Sequence, residues 1–244
     1  MVRAAWRLTR ATLHALHGLL IVLVVLPRAS EAQRQVRVQW WSVKLLGLLG
    51  VELQVQGQFR PGAKLIVANH ISWLDIMAIH AVHPQARFVS KADVQHWPLL
   101  GRLVAAGGTL YIQREKRRDA LRVVHQMAEA MTGGDTVAVF PEGTTADGRA
   151  LLPFHANLLQ AAIATDVPVQ PVALRYSDAS HAISPAAEFV GDTTLAQSLW
   201  RLAGATGLCV RVQVLLPQAC THADRRALAQ RLKQDIEDAL APGA

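Results

Sequence analysis

The chain opens on an apolar run. From Ala11 to Leu26 there is no Asp, Glu, Lys or Arg, and Leu19 to Leu26 is wholly aliphatic. Arg3, Arg7 and Arg10 precede the run, and Arg28, Arg34 and Arg37 follow it. Its 16 residues fall slightly short of the roughly 20 that span a bilayer upright. A second apolar stretch, Trp40 to Val51, is broken only by Lys44 and begins on paired tryptophans, side chains at home at the lipid–water boundary. Three readings follow. The segment is a secretory signal with small residues near Ser30-Glu31-Ala32, a single spanning helix, or a hairpin of two short apolar helices dipping into one leaflet. The tryptophan pair and the basic turn favour the hairpin over a helix pair buried in a globular core. Residues 1–50 are therefore expected to form a helical membrane anchor. With both basic flanks on the cytoplasmic side, it would sit on the cytoplasmic face of the inner (plasma) membrane.

Beyond residue 50, apolar runs of strand length alternate with segments of helical length. The strand candidates are Leu53–Gln56, Lys64–Ala68, Arg87–Ser90, Thr109–Ile112, Thr136–Phe140, Val169–Leu174 and Leu208–Leu215. The helix candidates are Trp73–His80, Val94–Leu103, Arg117–Met131, Ala156–Ala164, Leu195–Ala203 and Ala223–Leu240. Leu65-Ile66-Val67-Ala68 and Val137-Ala138-Val139-Phe140 show little alternation, as expected of strands covered by helices on both faces. The pattern predicts a single α/β domain over residues 51–244, with a mostly parallel sheet flanked by helices. Pro168 and Pro171 demote the run around Val169 to an edge or bulged strand.

Charge sharpens this picture. Lys and Arg number 25 against 18 Asp and Glu, a net +7, and only five of the cations are lysines. A mostly guanidinium surface suits bidentate grip on phosphate. With 51% hydrophobic and 18% charged residues, the chain is neither disordered nor a small secreted scaffold. Cys209 and Cys220 supply neither a disulfide framework nor a zinc set. Such a basic, apolar chain points to an anionic membrane surface. Nucleic acid is disfavoured, because the basic residues form no aromatic-interleaved patch.

Sites in open α/β sheets form at the carboxyl ends of strands, and four clusters follow apolar runs. The first is Asn69-His70-Ile71-Ser72-Trp73-Leu74-Asp75. On one regular helix His70 and Asp75 would point about 140° apart. They meet only if His70 lies in the turn and Asp75 in the first helical turn, where the carboxylate can orient the imidazole. The competing reading is a capping box, Ser72-x-x-Asp75. The second cluster is a strand ending in Arg114, either an anion clamp or a solvated strand end. In the third, Phe140-Pro141-Glu142-Gly143-Thr144-Thr145, Gly143 allows close backbone approach, and the Thr hydroxyls and amides can cradle an anion. An ordinary turn is the alternative. The fourth, Val167-Pro168-Val169-Gln170-Pro171, reads as a pocket wall.

In this order the four clusters resemble the glycerolipid acyltransferase family, whose best-known members acylate lysophosphatidic acid at the 2-position. Asn69-His70…Asp75 matches its His-x4-Asp block, Gly108…Arg114 its second block, Phe140–Thr144 its Phe-Pro-Glu-Gly-Thr block, and Val167–Pro171 its Val-Pro-x-x-Pro block. The resemblance spans about residues 40 to 215. It implies His70 as general base, Asp75 as its orienter, and Arg114 and Glu142 as acceptor-binding residues. Gly143 and Thr144 would supply backbone donors to the oxyanion and substrate. The implied reaction moves a fatty acyl group from acyl-CoA or acyl carrier protein to the free hydroxyl of a lysophospholipid, most simply 1-acylglycerol-3-phosphate. No metal or bound cofactor is implied. Thr145 stands where many members carry arginine, and Arg149 is a possible substitute. The stretch Glu142–Gly148 is also similar to members that acylate lyso-ornithine lipid.

Two other classes compete. A metal-dependent lipid hydrolase would use His70, Asp75 and Glu142, with His80 and His83 as a thin additional ligand set. A non-catalytic module would bind anionic membrane and present lipids.

Overall fold

Strand β2 (Lys64–Ala68) is buried at every position, and β5 (Thr136–Val139) likewise, because helices cover both faces. The computed structural model describes residues 1–96, 100–112 and 117–241. Among these, seven strands form one sheet in the order β1-β7-β6-β2-β5-β3-β4. The others are β1 (Val51–Gln56), β3 (Ala86–Lys91), β4 (Leu110–Ile112), β6 (Val169–Ser177) and β7 (Leu208–Val214). Neighbours run parallel except β6 and β7, paired from Val172↔Val214 to Ser177↔Cys209. One core, holding Ile66, Leu74, Ile79, Val172 and Tyr176, fills one face. A second, around Leu65, Val67, Met127, Val139, Leu228 and Leu232, fills the other. β7 alternates strictly between buried and half-buried positions, the mark of a strand covered on one face only.

All seven expected strands are present, with ends shifted by a few residues. One expectation is overturned: β6 is no edge strand but lies between β2 and β7. Both prolines serve as acceptors, the role their backbone keeps. Pro168 precedes the strand and takes the Leu65 N–H at 3.0 Å. Pro171 lies one residue before the β7 ladder begins and takes the Leu215 N–H at 3.0 Å. Two single helices were also expected where the chain uses a 3-10 turn and a shorter helix. Ala92–His96 is followed by α4 (Leu100–Ala106). Ala156–Leu159 leads into α6 (Gln160–Thr165). The remaining domain helices are α3 (Leu74–Val82), α5 (Arg117–Thr132), α7 (Leu195–Gly204) and α8 (Arg225–Leu240).

The amino-terminal segment is a hairpin of helices longer than the two short ones expected. Helix α1 (Val2–Leu20) runs on through a π turn, Ile21–Val25, and a 3-10 turn, Leu26–Arg28. Ser30 and Gln33 then form a capping box that starts α2 (Glu31–Leu49). His14 and Trp41 lock the pair: the rings stack at 5.2 Å, and Trp41 Nε1 donates to the His14 carbonyl at 3.2 Å. Gly18 makes room, since a Cβ there would lie 2.3 Å from Trp41 Nε1. The hairpin's inner face is continuous with the domain core through Ala11, Leu45, Leu46 and Leu49. Arg3 and Arg7 donate to carbonyls at the end of α7. Its outer face leaves Trp6, Leu13, Leu20, Val24, Val36 and Trp40 exposed. Among the described residues one helix, Val2–Arg28, is long and apolar enough to cross a membrane.

Candidate active site

The site forms where β2 and β5 end. Asn69, the first residue past β2, continues the ladder with its side chain. Its Nδ2 donates to the Leu174 carbonyl at 2.9 Å, and its Oδ1 accepts the Leu174 N–H at 2.7 Å. That clamp fixes where the chain leaves the sheet, and His70 follows in the turn. α3 begins at Leu74, which puts Asp75 in its first turn. The His70 Nδ1 to Asp75 Oδ2 distance is 2.8 Å. The pair meets by the turn-then-helix geometry that the five-residue spacing requires.

The orienting reading of Ser72-x-x-Asp75 is realised and the capping box only by half, because the Asp75 N–H goes to the Ser72 carbonyl and not to its hydroxyl. The Asp75 Oδ2 that faces His70 also accepts the N–H of Ile71 at 2.7 Å and of Ser72 at 2.9 Å, while Ser72 Oγ accepts the Leu74 N–H. The other oxygen, Oδ1, accepts the Tyr176 hydroxyl at 2.8 Å. Asp75 is 0% exposed, and its burial is tolerable because four donors surround the carboxylate. With Nδ1–H given to Asp75, the imidazole keeps its Nε2 lone pair as a base. The ring lies flat on Phe140, with centroids 3.9 Å apart, yet its side chain is 18% exposed. It is braced on one face and open to solvent.

The segment after β5 wraps this pair. Glu142 is 3% exposed. Its Oε1 accepts the His70 N–H at 2.7 Å and its Oε2 the Leu152 N–H at 2.9 Å. Burial raises its pKa, partly offset by those two amides. The sequence assigns Glu142 to the acceptor; in the fold both of its oxygens are turned inward onto backbone N–H groups. Gly143 takes a positive φ of 73°, and its N–H donates to the Phe140 carbonyl at 3.1 Å. That closes a turn and commits an amide expected to serve the oxyanion. Thr144 is exposed beside it. Thr145, in the position where arginine is common, donates its hydroxyl to the Phe189 carbonyl. Arg149 is held by Asp147 at 3.2 Å and Glu188 at 2.8 Å. The Ala146 N–H donates to the His70 carbonyl at 2.8 Å and the Phe189 N–H to that of Ile71 at 3.2 Å. Two loops are thus stitched to the His70–Asp75 turn. Arg114 lies outside the described residues.

His80 and His83 take no part in this centre. His80 Nε2 lies 2.9 Å from the Ala86 carbonyl, and His83 packs beside Lys64 and Thr136 at the far end of the sheet. Tyr176 is the residue that sequence reasoning missed. A tyrosine on a buried strand needs a partner for its hydroxyl, but nothing local says that the partner is a carboxylate 101 residues away.

The Acyltransferase family model matches residues 51–175. The lyso-ornithine lipid O-acyltransferase of Pseudomonas aeruginosa is 37% identical over 207 residues, covering 85% of this chain and 79% of that protein. The 1-acyl-sn-glycerol-3-phosphate acyltransferase of Neisseria meningitidis serogroup B is 36% identical over 197 residues, covering 80% and 76%. The crystal structure of the 1-acyl-sn-glycerophosphate (LPA) acyltransferase PlsC from Thermotoga maritima shares the fold. Its TM-score is 0.72 at 18% identity, over 98% of this chain and 94% of that one. With the sheet, the His70–Asp75 turn and the Phe140–Thr145 wrap in place, the chain belongs to the acyltransferase family.

Proposed function

We propose that the enzyme transfers a fatty acyl group from an acyl thioester to the free hydroxyl of a lysolipid, with His70 as general base and Asp75 as its partner. The observation that carries this is the 2.8 Å contact from His70 Nδ1 to a buried carboxylate, made by a side chain that is itself 18% exposed. The lysolipid hydroxyl donates to Nε2 and gives up its proton as its oxygen attacks the thioester carbonyl. Asp75 fixes the tautomer and stabilises the imidazolium that forms. The tetrahedral intermediate expels the thiolate, which recovers the proton from His70. A thioester is already activated, so no serine or cysteine nucleophile, metal or bound cofactor is needed. The exposed Thr144 is our candidate for the oxyanion, and Arg114 remains our candidate for the acceptor's anionic group.

The outer face of the hairpin would hold the enzyme on the membrane, which explains how a water-insoluble acceptor reaches the site. Its basic flanks favour the cytoplasmic leaflet. Acyl-CoA and acyl carrier protein are both anionic enough to suit the net charge. For the acceptor, 1-acylglycerol-3-phosphate is the first reading, after the Neisseria relative. Lyso-ornithine lipid is the second, favoured by one observation: Thr145 brings no guanidinium, and Arg149 is tied to two carboxylates. The test offers purified enzyme both lysolipids with labelled acyl-CoA and acyl carrier protein, and follows product by mass. Diacyl product from at least one lysolipid is expected. Hydrolysis of the thioester without transfer to any lysolipid would contradict the reading.

A further inference from the structure

The family's pattern gives Glu142 a place on the acceptor, but its surroundings describe something else. A carboxylate that grips a headgroup must present an oxygen to the opening. Here the residue is 3% exposed, and its two oxygens end on backbone N–H groups from segments that lie far apart in the chain, at His70 and Leu152. Each oxygen keeps a second lone pair, but burial leaves a headgroup no path to it. What Glu142 does hold is the backbone of the catalytic histidine. The 2.7 Å bond to the His70 N–H fixes the residue whose ring must meet both Asp75 and the acceptor hydroxyl.

A second buried group acts on the other half of the pair. Tyr176 is 1% exposed, and its hydroxyl donates to Asp75 Oδ1 at 2.8 Å. The remaining donors to Asp75, from Ile71 and Ser72, all meet Oδ2. Tyr176 therefore holds the other end of the carboxylate, and together with these two amides keeps Oδ2 toward the imidazole. It also spreads part of the negative charge away from His70.

We infer that Glu142 and Tyr176 are positioning residues for the His70–Asp75 pair, with Glu142 clamping the His70 backbone and Tyr176 orienting the Asp75 carboxylate, and that Glu142 is not an acceptor ligand. The inference rests on His70 acting as the base. In the Glu142→Gln enzyme, one face of the new amide presents N–H against an N–H donor, at His70 or at Leu152. Tyr176→Phe deletes one hydroxyl and leaves the ring in its core.

The experiment measures kcat and KM for the lysolipid, the pH profile of kcat/KM, and the thermal midpoint, in wild type and both variants. Glu142→Gln is expected to lower kcat about ten- to a hundredfold with the lysolipid KM nearly unchanged. Tyr176→Phe is expected to lower kcat about tenfold. It also moves the acid limb of kcat/KM to higher pH, because an Asp75 carboxylate stripped of one donor attracts a protonated imidazole more strongly. A raised lysolipid KM with kcat preserved in Glu142→Gln would put that side chain on the acceptor and overturn the clamp. If Tyr176→Phe lowers the thermal midpoint but leaves kcat and the pH profile as in wild type, Tyr176 only packs, and that half is overturned. Should Glu142→Gln not fold, Glu142→Asp replaces it, since the shorter carboxylate cannot reach both the His70 and the Leu152 N–H: a lowered kcat at unchanged lysolipid KM supports the clamp, and a raised KM with kcat preserved overturns it. Failure of the underlying reading looks different, since His70→Ala would then retain its turnover whatever the two variants do.

Discussion

At the carboxyl end of β2, Asp75 is fully buried and accepts four hydrogen bonds, one of them from an imidazole that remains open to solvent. At the amino end of the same strand, about 13 Å away along four residue steps, Lys64 is equally buried, at 0% exposure. Its Nζ meets the Thr136 hydroxyl at 3.0 Å and His83 Nε2 at 3.4 Å. Gln85 Nε2 points at the same His83 nitrogen, 3.2 Å away, so donors outnumber acceptors, and no carboxylate among the described residues joins them. Burial, then the like charge of Arg60, lowers the Lys64 pKa to about 8. Burial, then Lys64 and His80, lowers that of His83 to about 4. The two ends differ in what the buried charge gains. At one it is compensated and coupled to a ring that is partly exposed. At the other it is uncompensated, and the surrounding groups are held in their less charged forms. A buried polar cluster marks a catalytic centre when its charge is satisfied on one side and leaves a reactive atom exposed on the other.

The sharpest way to probe the compensated end is Asp75→Asn. The amide can keep its carbonyl toward the Ile71 and Ser72 amides and turn its NH₂ to Tyr176, which can accept. The geometry survives and only the negative charge is lost. We expect kcat to fall about 10²–10⁴-fold, with circular dichroism unchanged. A fall of less than a factor of about three, on the scale of one weak hydrogen bond, would mean that the charge does not serve the reaction.

The opposite end should respond in stability rather than rate. Lys64→Met removes a buried cation that no carboxylate among the described residues offsets, and replacing such charges by well-packed apolar groups is neutral or stabilising by about 1–4 kcal/mol. The thermal midpoint of the detergent-solubilised enzyme should therefore hold or rise, with kcat unaffected by so distant a change. A lowered midpoint would show that Lys64 supports the fold through Thr136. The same substitution flattens an alkaline slope. With a folded pKa of about 8 against the ordinary lysine value of 10.5, the unfolded chain binds the Lys64 proton first as pH falls. Wild-type stability should thus decline as pH is lowered from 10.5 to 8 and then level off.

A smaller effect is expected on the acid side. Burial lowers His80 to about 4 against a backbone acceptor at Ala86, and His83 sits at about 4 as well. Between pH 6.5 and 4 the unfolded state takes up protons that the folded state refuses, so stability falls as pH falls through that window. His83→Gln should make the decline shallower in thermal melts across those pH values. An unchanged slope would mean that His83 is protonated in the fold.

The sheet was legible in the sequence where burial was two-sided, as at Leu65–Ala68, because an unbroken apolar run of that length between turn residues suits a strand covered on both faces. It was misread at Pro168 and Pro171, since a sequence shows the N–H that proline lacks but not the carbonyl it still offers. The His70–Asp75 turn was legible because the two residues are local. Even there, orienting and capping looked like rivals, although one oxygen performs both. The remaining contacts were hidden for a common reason. Glu142 to His70, Tyr176 to Asp75 and Lys64 to Thr136 join segments that the folded sheet alone brings together, 72 to 101 residues apart in the chain. Spacing carries no trace of them.

The most direct measurement is the turnover of purified, folded His70→Ala on the lysolipid that the wild-type enzyme acylates, with labelled thioester as donor. General-base loss predicts at least about a 10²-fold drop, with circular dichroism showing the variant folded. Retention of more than about a tenth of the wild-type rate, well outside the range for a lost general base, would contradict the account.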